Sequence, residues 1–259
     1  MGNIDLIYKE AMRVAKEFDS SVFAVFDFDN TCIFNDITEA TLHYLSKNNL
    51  LKDRNLLGEG FALLPSEAYS EAVFNHYYKL LDAKQVKGAY EFIGTILSGF
   101  SVDEIGLLMK NVTDFEGSEI TDYQLFGRKI AKGIKPREQV VTLIEILKRG
   151  GIKVWFVTAS LEALVKEYLK NLILDVDVIG VKPIIVGRKF TTQLEKPLPI
   201  IEGKVECIKK RIDATKIPVL GVGDSMNDLP MLEYCETKAI VDHGNTLTSK
   251  AKENNWFII

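Results

Sequence analysis

The stretch VFAVFDFDNT, residues 22–31, joins an uncharged apolar run to two aspartates. The run predicts a buried strand that ends where the polar residues begin. Side chains alternate between the faces of a strand, so Asp27 and Asp29 are expected on one side and Phe28 on the other. Two close carboxylates repel each other unless a cation lies between them, and oxygen ligands suit a hard cation such as Mg²⁺. Two acids after a strand are also typical of a solvated turn, so this interpretation depends on the rest of the chain.

The segment 134–259 alternates between strand and helix patterns at the spacing of βαβ units. The strand patterns are 152–157, 218–223 and 238–241, the helical ones include 161–172 and 202–212, and 178–198 resembles a small hairpin around Gly187. We therefore predict an α/β fold, a Rossmann-like parallel sheet with helices on both faces.

The segment 34–133 has a different character, because it is rich in Tyr and Phe and almost without strand patterns. Its helical patterns are 37–47, 66–81, 84–97, 102–112 and 119–131, the fourth with a capping box formed by Ser101 and Glu104. We interpret it as a helical cap inserted into an α/β core made of residues 1–33 and 134–259. Most of its aromatic residues are expected in its own core and a few in a pocket.

Composition narrows the functional class. Of 259 residues, 47% are hydrophobic and 26% charged, which is typical of a globular protein, and the net charge of -4 argues against a nucleic-acid partner. There is no apolar run long enough for a membrane span, and the N-terminal residues predict an amphipathic helix (Ile4, Ile7, Met12, Val14, Phe18) and not a signal peptide. Three isolated cysteines favour a reducing compartment, and we expect a cytoplasmic protein.

Three predicted strands end in polar side chains. These are Asp27 with Asp29, Thr158 with Ser160, and Asp224 with Asp228. In an open parallel sheet the carboxyl ends of the strands lie along one edge, where ligands bind. Residues far apart in the sequence are therefore expected to meet in a single site.

The chemistry of these residue types favours phosphoryl transfer. A carboxylate beside Mg²⁺ is a competent nucleophile toward phosphorus, and we assign this role to Asp27. Asp29 is placed to protonate the leaving alkoxide and then to activate the water that cleaves an aspartyl-phosphate.

A transferring phosphoryl group needs donors around its oxygens. The Thr158 hydroxyl and the amides of Ala159 and Ser160, expected at the start of a helix, are candidates, and Lys204 supplies a fixed positive charge.

The last acidic cluster completes the predicted metal site. Asp224 is the expected third Mg²⁺ ligand beside Asp27 and Asp29. Asn227 and Asp228 are expected to contribute to the metal site indirectly, by a bridging water molecule or by holding the residues that bind the metal.

The order of these motifs, DFDNT at 27–31, VTAS at 157–160, Lys204 and GDSMND at 223–228, resembles the haloacid dehalogenase superfamily of phosphohydrolases. The resemblance implies the roles given above, and it implies that Asp29 offers its backbone carbonyl to the metal. The position of the helical insert resembles the cap of the phosphoserine-phosphatase-like branch, and phosphorylcholine-phosphatase-like members are also similar.

Asp36 lies where phosphoserine phosphatases carry a glutamate that meets the substrate amine, but it is equally placed to be the N-cap of the helix that begins at Ile37. The resemblance therefore implies a small phosphate ester as the ligand, with phosphoserine, phosphoethanolamine and phosphocholine as candidates. A phosphotransferase on the same scaffold and a non-catalytic binding protein are the alternatives, and the oligomeric state is left open.

Overall fold

The computed structural model describes residues 3–17, 22–172 and 174–259. The described helices are α1 Asn3–Ala15, α2 Ile37–Lys47, α3 Glu59–Ala62, α4 Ser66–Asp82, α5 Val86–Ile93, α6 Ile105–Glu116, α7 Glu138–Arg149, α8 Glu162–Leu172, α9 Gly203–Arg211, α10 Leu229–Tyr234 and α11 Thr246–Glu253. The described strands are β1 Phe23–Phe26, β2 Thr121–Leu125, β3 Arg128–Lys132, β4 Lys153–Leu161, β5 Asp177–Val181, β6 Pro183–Val186, β7 Lys189–Leu194, β8 Leu220–Gly223, β9 Thr237–Ile240 and β10 Phe257–Ile258.

The main sheet has six strands in the order β10-β9-β8-β1-β4-β5, and every neighbouring pair is parallel. The predicted Rossmann-like α/β fold is therefore confirmed. Strand β1 lies between β4 and β8, so the connections run to opposite sides of it. Ligands in such sheets bind where the strand order reverses, at the carboxyl ends of the strands.

Alternating side chains of β1 serve the two faces of the sheet. Phe23 and Val25 pack with Cys207 of α9 and Met231 of α10, whereas Phe26 belongs to the larger core that includes α1 and α7. A strand covered on both faces is apolar along its whole length, which explains the uncharged run of the sequence.

The amphipathic N-terminal helix is present as α1, with Ile7, Ala11 and Val14 buried. Phe18, assigned to the same helix from the sequence, lies outside the described residues. No helix in the described part of the chain is long and apolar enough to cross a membrane. The three cysteines are unpaired and buried.

The segment between β1 and α7 is largely helical, as predicted, and the capping box of Ser101 and Glu104 is present. The helix predicted at 119–131 is wrong, because β2 and β3 pair there as an antiparallel hairpin. Phe126 and Gly127, at φ 46° and 77°, form its two-residue turn. Such a turn needs positive φ at both positions, and the twist it gives matches that of the flanking strands.

Two other boundaries differ from the sequence predictions. The strand predicted at 152–157 continues to Leu161. A short strand that was not predicted, β10, follows the last helix, α11. The hairpin around Gly187 exists as β6 and β7, but the first residues of the 178–198 segment belong to β5 of the main sheet.

The two connections between the 34–133 segment and the sheet run side by side. The Phe34 amide donates to the Lys135 carbonyl at 2.9 Å, and the Arg137 amide donates to the Cys32 carbonyl at 2.8 Å. The Arg137 guanidinium also lies 3.8 Å from the centroid of the Phe34 ring. The segment thus leaves and rejoins the α/β part at one place, directly after the strand that carries Asp27.

Candidate active site

A cavity of about 150 Å³ lies beyond the carboxyl ends of β1, β4 and β8. Residues from all three strand ends line it, together with α5 and the segment before α9. The lining residues predicted from the sequence are Asp27, Asp29, Asp36, Thr158, Ala159, Lys204, Asp224, Asn227 and Asp228. The structure therefore brings together the residues that were selected from distant parts of the sequence.

Lys204 lies between two aspartates. Its Nζ is 2.6 Å from Asp27 Oδ1 and 2.5 Å from Asp228 Oδ1, and its side chain is 3% exposed. Burial would lower the pKa of the Lys204 amine, but Asp228 and Asp27 together raise it above its usual value. The lysine therefore carries a fixed positive charge beside the proposed nucleophile.

Asp228 is held by the loop after β8 as well as by the lysine. Its Oδ2 accepts hydrogen bonds from the amides of Asp224 and Ser225 at 3.0 and 3.2 Å. A Cβ at Gly223 would lie 2.6 Å from Cβ of Asp228, so only glycine lets this side chain fold back against the strand. Both oxygens of Asp228 are engaged in hydrogen bonds, which fits a supporting role.

Asp27, Asp224 and Asp228 each place one carboxylate oxygen within 4.8 Å of the others. Thr31 Oγ1 is 3.1 Å from Asp27 Oδ2 and 3.3 Å from Asp224 Oδ1, and His243 Nε2 is 3.9 Å from Asp224 Oδ2. An all-oxygen donor set of this kind suits Mg²⁺. The carboxylate of Asp29 lies outside the cluster, so a contribution of Asp29 to a metal would come from its backbone carbonyl.

The Asp29 carboxylate contacts α2 and β4 and is not part of the acidic cluster. Its Oδ1 accepts from the Ile37 amide at 2.8 Å, and its Oδ2 accepts from Thr158 Oγ1 at 2.9 Å. Burial, followed by the neighbouring Asp36, raises the pKa of Asp29 to about 7, while these hydrogen bonds oppose the shift. A carboxyl group with a pKa near neutrality is well suited to give and take a proton.

The other cavity acids also have raised pKa values. Burial and Asp228 raise the pKa of Asp27 to about 7 against the opposing charge of Lys204, and burial with Asp27 and Asp228 raises the pKa of Asp224 to about 9. Crowded buried carboxylates resist ionisation, and the one positive charge of Lys204 does not offset all of them. A bound cation would lower all of these pKa values, so the electrostatics of the cluster fit a divalent metal.

The expectation for the 158–160 segment needs correction. These residues lie within β4, and α8 begins only at Glu162, so the amides of Ala159 and Ser160 are not at a helix start. The Ser160 amide donates to Thr158 Oγ1 at 3.0 Å, and its hydroxyl accepts from Thr38 Oγ1 at 2.8 Å. Ser160 is not among the residues that line the cavity, whereas Thr158 and Ala159 are.

Asp36 is the N-cap of α2, since its Oδ1 accepts from the amides of Thr38 and Glu39 at 2.8 and 2.9 Å. It also lines the cavity, as does Tyr90 of α5. Burial, followed by the charge of Glu39, raises the pKa of Asp36 to about 7. The two roles that the sequence left open are therefore compatible.

Several residues in the cavity or next to its lining residues were not predicted from the sequence. Glu39 follows Asp36 by one helical turn and accepts from Tyr77 Oη at 2.5 Å, and its pKa is raised by burial. Tyr90, Ile200 and Ile201 line the cavity. The three-residue spacing of Asp36 and Glu39 indicates two acids on the same face of a helix. No local sequence pattern predicts that Tyr90, Ile200 and Ile201 line the cavity.

A family model described as haloacid dehalogenase-like hydrolase matches residues 24–233. The match spans most of the chain, and the chain belongs to this family of hydrolases. The family predicted from the motif order is therefore confirmed.

Among individual proteins, the phosphorylcholine phosphatase of Pseudomonas aeruginosa is 26% identical to this chain, and the match covers 80% of this chain and 69% of that protein. A functionally unknown protein from Anaerococcus prevotii has a TM-score of 0.72 at 21% identity, covering 98% of this chain and 90% of the other. A substrate-bound phosphoserine phosphatase has a TM-score of 0.53 at 17% identity, covering 86% and 87%. The structural likenesses establish the fold.

Proposed function

We propose that the protein is a Mg²⁺-dependent phosphomonoesterase that hydrolyses a small phosphate ester bearing an amine or ammonium group. The observation that carries the proposal is the contact of 2.6 Å between Asp27 Oδ1 and Nζ of the buried Lys204. It lies in the same cavity as Asp29, the candidate for proton transfer. Asp27 supplies the nucleophile, Lys204 places one positive charge beside it, and Asp29 supplies an acid.

In this mechanism the substrate phosphate binds between Lys204 and Thr158, which stabilise charge on its oxygens. An oxygen of Asp27 attacks phosphorus and forms an aspartyl-phosphate while Asp29, protonated, gives its proton to the departing alkoxide. Asp29, now ionised, takes a proton from the water that attacks the aspartyl-phosphate, which releases phosphate and restores both carboxyl groups.

The side chains of Asp27 and Asp224, with the backbone carbonyl of Asp29, would hold the Mg²⁺ ion. When bound, the ion offsets the negative charge of the carboxylates and of the substrate phosphate. Asp228 and Asn227 would support this arrangement, Asp228 through its hydrogen bonds to the loop after β8.

The cap side of the cavity supports a cationic leaving group. Asp36 provides a carboxylate, and Tyr90 provides an aromatic surface that attracts ammonium groups by cation–π interaction. Glu39 adds negative charge nearby, since its side chain is close enough to raise the pKa of Asp36. The name of the Pseudomonas relative, phosphorylcholine phosphatase, agrees with a ligand of this class.

The first experiment is hydrolysis of p-nitrophenyl phosphate with and without Mg²⁺. We expect activity that a chelator abolishes and that Asp27→Asn removes, whereas Asp114→Asn on the exposed face of α6 keeps it. Robust turnover by Asp27→Asn would refute the nucleophile assignment. Absence of turnover by the native protein on any ester would favour a binding role, and product analysis with added alcohol separates hydrolysis from phosphotransfer.

The second experiment tests the leaving group. Phosphocholine, phosphoethanolamine and phosphoserine are compared with an uncharged phosphomonoester. Asp36→Asn keeps a capping oxygen but removes the charge, so KM should rise about tenfold for the cationic esters and remain unchanged for the uncharged one. Equal kcat/KM values across the native panel would overturn the cationic class.

A further inference from the structure

A second and larger cavity of about 590 Å³ adjoins the active-site cavity. It lies between α5, which contributes Lys87 and Glu91, and the segment that leads into α9. Ile200 and Ile201 line both cavities, so these two side chains stand between them. The inner cavity, at about 150 Å³, is much smaller than the outer one, so it favours a phosphate with a short leaving group.

The backbone at Ile201 is unusual. Its φ is 52°, in the left-handed region that a β-branched residue rarely adopts. A conformation of this kind persists only where the surrounding structure imposes it, and such positions cluster at functional sites.

The turn into α9 imposes that conformation. The Gly203 amide donates to the Ile200 carbonyl at 2.9 Å, and the Lys204 amide donates to the Ile201 carbonyl at 3.2 Å. A Cβ at Gly203 would lie 2.0 Å from the carbonyl oxygen of Leu198, so the turn is tight at this point. The same turn therefore fixes Lys204 in the site and Ile201 at the boundary between the two cavities.

The two isoleucines differ in burial. Ile200 is 5% exposed and belongs to the main core, whereas Ile201 is partly exposed and packs against that core from outside. Shortening Ile201 would therefore open the boundary without emptying the core, while shortening Ile200 would do both.

We propose that Ile201 determines specificity by setting the upper size limit of the leaving group. The inference rests on the phosphomonoesterase function proposed above. A phosphate held by Lys204 and Thr158 directs a longer leaving group toward the outer cavity, and the Ile201 side chain closes that route. Ile201, beside the more deeply buried Ile200, therefore excludes esters whose alcohol part extends past the inner cavity.

The test compares kcat/KM for phosphoethanolamine and for 6-aminohexyl phosphate in the native enzyme, Ile201→Gly and Ile201→Asn. Glycine and asparagine both tolerate positive φ, so both relieve the backbone, but only glycine removes the side chain. Comparing the two variants therefore separates the effect of side-chain size from the effect of backbone conformation. Ile201→Ala, which shortens the side chain without relieving the backbone, is the replacement should the glycine variant fail to fold.

The native enzyme should favour the short ester by about 100-fold, since several methylene groups must be accommodated. Ile201→Gly should reduce this ratio by about tenfold or more, and Ile201→Asn should keep it within about threefold. Equal ratios in the glycine and asparagine variants, or a native enzyme that accepts both esters equally, would overturn the assignment and leave the phosphatase function standing. If the native enzyme hydrolyses neither these two esters nor p-nitrophenyl phosphate nor any ester of the earlier panel, the proposed function is overturned, and the assignment with it.

Discussion

Replacing Lys204 by methionine tests the electrostatics of the site most directly. The change keeps most of the side-chain length but removes a buried positive charge that contacts Asp27 and Asp228. Breaking a buried ion pair from one side typically costs about 3–5 kcal/mol, because the remaining charge is left without a partner. At about 2–4 °C per kcal/mol, the melting temperature should fall by roughly 6–20 °C.

The loss of stability in Lys204→Met should depend on pH. Lys204 lowers the pKa of Asp27, so in the variant the folded pKa of Asp27 should rise above about 7, further from its ordinary value of 3.8. A carboxyl group whose folded pKa is raised stabilises the fold fully below its unfolded pKa, and this contribution is lost as pH rises through the folded pKa. The two proteins should lose stability in parallel up to about pH 7, and the gap in melting temperature between them should widen above it.

Thermal unfolding and steady-state kinetics check both consequences. Loss of a charged donor to the phosphate should reduce kcat/KM by about 10²–10³. Lys209→Met, on the exposed part of α9, is the matched control. It should change the free energy of unfolding by less than about 1 kcal/mol, which is the energy of an exposed cation–π interaction such as that of Lys209 with Tyr234. A Lys204→Met variant with native activity and a native melting temperature would refute the proposed role of the Asp27–Lys204 pair.

Three further predictions concern separate features. Burial lowers the pKa of His43 to about 3, so the free energy of unfolding should fall as pH decreases from about 6.5 to 3. In chemical denaturation, the free energy of unfolding of His43→Gln should fall by up to about 1.4 kcal/mol less per pH unit than that of the native protein. Parallel pH dependences of the two proteins would contradict this. Gly133→Ala would place Cβ 2.2 Å from the Glu119 carbonyl oxygen and should cost several kcal/mol in urea unfolding, against about 1 kcal/mol for Gly127→Ala, where φ is also positive but nothing lies within 4 Å. Asp29→Asn should reduce turnover of alkyl phosphates by about 10²–10⁴ and of aryl phosphates by less, because an aryl oxide leaves without a proton; equal losses would argue against its role as the acid.

The parallel sheet could be predicted because its central strands are buried on both faces and so appear as uncharged runs. The 119–131 segment shows where this approach fails. Its apolar residues fit a helical period, and the hairpin is specified by the positive φ of Phe126 and Gly127, which composition indicates only weakly when the first turn residue is aromatic.

The acids of the site could be selected because chemistry restricts metal ligands and nucleophiles to few residue types, and because parallel strands bring their ends together. The cavity walls follow a different rule. Ile201 is an ordinary apolar residue whose importance lies in its backbone conformation and its position between two cavities, and neither is encoded in a local pattern. The prediction of a helix start at residues 158–160 was wrong for a related reason. The polar residues there indicated the end of the strand, but β4 continues through them.

The side-by-side joining of residues 32–35 and 133–137 has a consequence for how such an enzyme can diversify. A module attached at one point behaves toward the sheet as a single surface loop, and domain insertions are tolerated at positions of this kind. Its length, helices and aromatic lining can be exchanged by recombination while the strand order and the acids stay in place. Contacts of the 34–133 segment with the substrate can therefore change while the acids at the sheet edge stay in place.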